Sequence, residues 1–159
     1  MAQRSDEGIS MTGFLWGILG VFAGACIAIQ APINTQLGRA LGMPVAAAMI
    51  SFAAGAVALA VVVAVFSRLQ GVAPDWRAPA PWLYFAGGCL GSVYVTAAIL
   101  LTPRIGAAAV MAFSVAGQLT AGLLIDRIGF MGVAVRELTA GRVVGALLLC
   151  AGVVMIRMF

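Results

Sequence analysis

The chain has 159 residues, 64% of them hydrophobic and 9% charged, with a mean hydropathy of +1.13, no histidine and a net charge of +4. Soluble domains carry roughly 25% charged residues, so too little polar surface is present to cover a water-facing fold, and the composition indicates an integral membrane protein. All nine basic residues are arginines scattered singly between apolar runs, which excludes a nucleic-acid partner, and three isolated cysteines without histidine offer no metal set and imply no cofactor.

About 20 apolar helical residues cross a hydrocarbon core of about 30 Å. Five runs meet that length, at about 13–36, 45–67, 82–102, 105–125 and 140–157. They are continuous rather than alternating, so they predict helices and not barrel strands. The expected fold is all-α, one transmembrane domain over residues 1–159.

The head of the first run resembles a leader, with Ala23-Gly24-Ala25 as a cleavage sequence. Asp6 and Glu7 beside Arg4, and an apolar stretch too long for a leader, favour a retained span. Gly13, Gly17, Gly20 and Gly24 form a small-residue ladder suited to close helix approach. If Trp16 marks one interface, Gln30 lies about 21 Å into the membrane and Asn34 one turn further on the same face. Between them Pro32 removes the hydrogen bond to the Ala28 carbonyl, which marks it as a hinge candidate. The two amides can line a polar pathway, or they can end the helix among headgroups.

The second run is almost wholly apolar. The third and fourth are separated only by Pro103-Arg104 and predict a tight antiparallel hairpin, with Arg104 snorkelling to the interface. Gly87, Gly88 and Gly91 give the third run a small face. The fourth carries Ser114 and Gln118 on one face and ends at Asp126-Arg127, which reads as a gate, a solvated helix end or a pair between the two charges. Within one chain Gln30 and Gln118 fall at different depths; in a copy inserted upside down the depths match. The fifth run presents Gly141, Gly145 and Gly152, again a packing face.

Arginine distribution sets the orientation. Arg4, Arg68, Arg77, Arg127, Arg136 and Arg142 share the side of the N-terminus, and Arg39, Arg104 and Arg157 lie opposite. This bias places the N-terminus in the cytoplasm. Trp76, Trp82 and Tyr84 suit the same interface. Catalytic constellations are absent from the sequence, so an enzyme is not expected.

The stretches "AIQAPINTQLGRAL", "PRIGAAAVMAFSVAGQLTAGLLIDRIGF" and "GRVVGALLLCAGVVMI" resemble the YdcZ-like family of five-span bacterial inner-membrane proteins, within the drug/metabolite transporter superfamily. The resemblance runs from Gly13 to Ile156. It implies a half-unit of a ten-helix inverted-repeat transporter that moves a small metabolite or drug-like compound by alternating access. The family motifs carry over to Gln30, Asn34, Gln118 and Asp126. With Ser114 on the face of Gln118, the residues expected to bind substrate are Gln30, Asn34, Ser114 and Gln118, and Asp126 and Arg127 are expected to gate or to end a helix. The last helix is similar to the dimer-forming helix of the small multidrug resistance transporters, through Gly145, Gly152 and Val153. The membrane-embedded glutamate on which those transporters rely has no counterpart in the first span here.

The expected partners are the lipid bilayer, a small-molecule substrate and a second subunit, either an antiparallel copy or a paralogue. A channel would want rings of polar residues along several helices. That reading, and a non-transporting membrane assembly protein, stand as the alternatives.

Overall fold

The computed structural model describes residues 11–159; Arg4, counted above toward the orientation, and Asp6 and Glu7 lie outside them. Five helices follow in order: α1 (Met11–Leu41), α2 (Pro44–Gln70), α3 (Leu83–Ile105), α4 (Ala107–Ile128) and α5 (Ala140–Met158). All five are long and apolar enough to span a membrane, and no strand occurs among the described residues.

Local chemistry explains the boundaries. Pro44 sits at the first helical position of α2, where a missing N–H costs nothing. Thr139 caps α5 by accepting a bond from the Arg142 backbone N–H at 3.4 Å. The α3–α4 hairpin turns on a single residue, Gly106, at φ 84° and ψ 154°, a conformation that a side chain would strain.

The C-terminal ends of all five helices lie beyond those expected, that of α1 furthest. α1 runs on past residue 36 to Leu41 and passes through Pro32 as one helix. Likewise Pro103 lies inside α3, which continues to Ile105. Membrane-spanning helices tolerate proline because neighbouring groups and local adjustments re-satisfy the freed backbone. Arg104 turns its guanidinium back onto the Leu100 carbonyl of its own helix.

α1 packs against α2, α3 and α4, while α5 packs on α4. The tightest packing lies where the C-terminal end of α1 meets the start of α2 and the end of α3. Ala47, Ala48, Val95 and Ile99 form a small buried cluster there, with Leu37 and Tyr94 against it. Gly38 makes the approach possible, since a Cβ at that position would stand 3.2 Å from Ile99 Cγ2 and 3.3 Å from the Pro44 Cα.

Toward the other end the same helices separate. Residues 11–27 of α1 and 52–66 of α2 are exposed. The expected ladder of Gly17, Gly20 and Gly24 therefore meets no neighbour in this chain, and neither do Gly87 and Gly88 of α3 or Gly141, Gly145 and Gly152 of α5. The close approaches fall instead at Gly38 and at Gly91, where a Cβ would meet the Phe52 ring at 3.0 Å. No large side chain is fully buried among the described residues. Lipid tails are as apolar as leucine, so such a bundle gains little by burying leucines from them and is held by local close packing.

Candidate functional site: an amide and hydroxyl cluster at the closed end of the bundle

The polar side chains of α1 point into the bundle. Asn34 is buried at 5% exposure, and Gln30 is half-buried one turn before it. Both donate to a single acceptor on α2: Gln30 Nε2 reaches Ser51 Oγ at 3.3 Å and Asn34 Nδ2 reaches it at 3.2 Å. Ser51 is placed by helix geometry, about 10 Å below the start of α2 and level with Asn34, which lies about 10 Å below the end of α1. Thr35, also buried, instead satisfies its hydroxyl on the Ala31 carbonyl at 2.8 Å.

Two spaces adjoin this cluster. A pocket of about 10 Å³, room for one water, is lined by Ile27, Gln30, Asn34, Tyr94 and Ile99 between α1 and α3. The Tyr94 hydroxyl is buried there without a hydrogen-bond partner. A wider groove of about 340 Å³ between α1 and α2 is lined by Gln30, Ser51, Phe52 and Leu59. Gln30 thus forms part of both walls. The cluster holds unspent capacity: two amide oxygens, and hydroxyl protons on Ser51 and Tyr94.

Two interhelical hydrogen bonds of about 0.6 kcal/mol each are a small return for placing two amides in a membrane. Leucine or alanine at these positions would serve packing as well.

The remaining expected residues form a second group. Gln118 lines a cleft of about 460 Å³ between α4 and α5, with Asp126 and Arg142 at its mouth. Ser114 is half-buried one turn before Gln118 and lines neither this cleft nor the α1–α2 groove. Asp126 Oδ2 accepts from Arg142 Nη2 at 2.7 Å, and the Asp126 carbonyl accepts from the Arg136 N–H at 2.8 Å. The expected pairing with Arg127 is therefore corrected. Consecutive helix residues point about 100° apart, whereas α5 returns antiparallel along the face that carries Asp126. Arg127 is exposed. Pro32 is exposed on the far side of α1, and Val153 of α5 is buried at 6%.

A family model described as "Putative inner membrane exporter, YdcZ" matches residues 15–155. The chain belongs to the YdcZ family. No curated protein and no solved structure matches it. A YdcZ-family chain is a multi-pass inner-membrane protein of the exporter type, a transporter rather than an enzyme, which agrees with the five apolar helices. No group of His, Cys, Asp or Glu among the described residues could hold a metal, and Cys26, Cys89 and Cys150 are free and exposed.

Sequence reasoning passes over Ser51, Tyr94 and Arg142. Ser51 carries a signal, being the only polar side chain between Pro44 and Phe66. Arg142 was legible only as a charge for orientation, because its partner is set by how α5 docks.

Proposed function

We propose that this chain is a secondary transporter that exports a small, neutral or weakly charged compound by alternating access, working as an antiparallel pair. The observation that carries this reading is the Gln30–Ser51–Asn34 cluster, a hydrogen-bonding layer within the apolar bundle of an exporter family. Amides and hydroxyls can match a ligand's donors and acceptors without supplying a fixed counter-charge.

The helices close around the cluster at one end and stand apart at the other, so the groove leads to the site from the N-terminal side. With the N-terminus in the cytoplasm, as the arginine bias favours, that is an inward-facing arrangement. Pro32 then allows the outer turns of α1 to move when the site opens outward.

An inverted second copy supplies what one chain lacks. Five helices with exposed glycine faces on α1 and α3 cannot both enclose a pathway and shield it from lipid. Gln30 and Gln118 each lie about 16 Å from the same end of the bundle, near the midplane, rather than at the different depths expected within one chain. An inverted copy would therefore place its own Gln118 at a comparable depth.

Proteoliposomes test the reading. A compound that raises the melting temperature of the purified protein should show saturable flux. Asn34→Leu and Gln30→Leu should each weaken its apparent affinity about tenfold, roughly the loss of one good ligand hydrogen bond. Non-saturable flux would favour a channel, and unchanged affinity in both variants would move the site elsewhere.

A further inference from the structure

We propose that the mouth of the α4–α5 cleft binds the phosphate of an anionic membrane phospholipid, with Arg142 as the principal donor. This inference does not rest on the transport reading. Arg142 uses Nη2 for Asp126, but its Nη1 is sealed from solvent and has no hydrogen-bond partner. A guanidinium presents a planar fork of donors that matches phosphate oxygens. Half of that fork is unmet.

The surroundings select a lipid. Asp126 lies in the last turn of α4 and Arg142 in the first turn of α5, so both stand at headgroup depth. Over residues 126–142 the chain carries three arginines, Arg127, Arg136 and Arg142, against two carboxylates, Asp126 and Glu137. Below the ion pair the cleft continues along Leu119 and Leu123 over Gly122 and Gly145, with Gln118 in its wall. A Cβ on Gly122 or Gly145 would meet nothing within 4 Å. A charged mouth above an apolar channel of about 460 Å³ fits an amphiphile better than a free ion.

Asp126 and the phosphate then act on one guanidinium. Asp126 holds Nη2, and the guanidinium pivots about that bond to bring Nη1 from its sealed position to the phosphate. The carboxylate also repels the incoming anion, so its removal and the removal of Arg142 have opposite expected effects on binding. A plain helix staple would give both removals the same sign.

The full chain, purified in detergent, is titrated with phosphatidylglycerol and with phosphatidylcholine of identical acyl chains. Retained lipid is read by native mass spectrometry and melting temperature. Phosphatidylglycerol is expected to be preferred at least about fivefold, the worth of one arginine near an anionic surface. Arg142→Gln should abolish the preference, Arg142→Lys should keep part of it, and Asp126→Asn should keep or raise it. Should Arg142→Gln fail to fold, Gly145→Leu fills the cleft with the guanidinium intact and should likewise lose the lipid. An unchanged preference in Arg142→Gln, or in Gly145→Leu where that variant stands in, overturns the proposal. Equal stabilisation of the unaltered chain by inorganic phosphate overturns the lipid assignment in favour of a free anion.

Discussion

Ser51 gives two amides of α1 one acceptor, and that sharing sets what its removal does. Ser51→Ala leaves the Gln30 and Asn34 amides without their α2 partner. If the cluster serves only to join α1 to α2, the loss is two weak bonds, about 1 kcal/mol, seen as a lower melting temperature. If the cluster also meets a ligand, the same variant weakens saturable transport by more than the stability loss explains. Transport kinetics beside thermal stability checks this, and Tyr94→Phe sharpens it. Removing a buried, unpartnered hydroxyl should raise the melting temperature while lowering affinity for any compound that uses it. A parallel rise in stability with unaltered affinity would assign Tyr94 to packing alone.

Among the elements, the α4–α5 pair depends on one partly exposed ion pair, Asp126–Arg142, together with the bond from Arg136 to the Asp126 carbonyl. Asp126→Asn and Arg142→Gln should each destabilise by about 1 kcal/mol, and the double variant by clearly less than the sum, because both remove one interaction. Thermal unfolding of the three variants measures the coupling. The α1–α2–α3 junction is less forgiving. Gly38→Leu should cost about 1–3 kcal/mol, since Ile99 and the Pro44 backbone already occupy the space its side chain needs. Gly20→Leu should leave the single chain's stability unchanged, because nothing in the chain stands near it.

These two glycines also mark how far the sequence can be read. The helices were legible because length and hydropathy alone fix a membrane span. Their ends were less so: Pro103 reads as a break between spans, yet α3 continues past it, and α1 runs on beyond its expected end to Leu41. Gln30 and Asn34 stood out as amides in an apolar run. Ser51 and Tyr94 did not, because a lone serine or tyrosine is unremarkable until the neighbouring helix turns toward it. Asp126 found Arg142 rather than Arg127 for the same reason. Pairing between helices depends on docking angles that no local pattern encodes.

At the scale of the whole molecule, one chain offers a closed junction at one end, separated helices at the other, and exposed small-residue faces on α1 and α3. An inverted second copy would cover those faces and complete the polar layer. Val143 and Ile156 lie near opposite ends of α5 and are 42% and 54% exposed, about 20 Å apart along the helix, too far to link within one chain. With Cys26, Cys89 and Cys150 replaced by serine, Val143→Cys and Ile156→Cys chains are purified together from membranes and oxidised. The inverted arrangement predicts a mixed disulfide between position 143 of one copy and position 156 of the other. Disulfides only between identical positions, at both ends of α5, would contradict it and indicate a parallel pair.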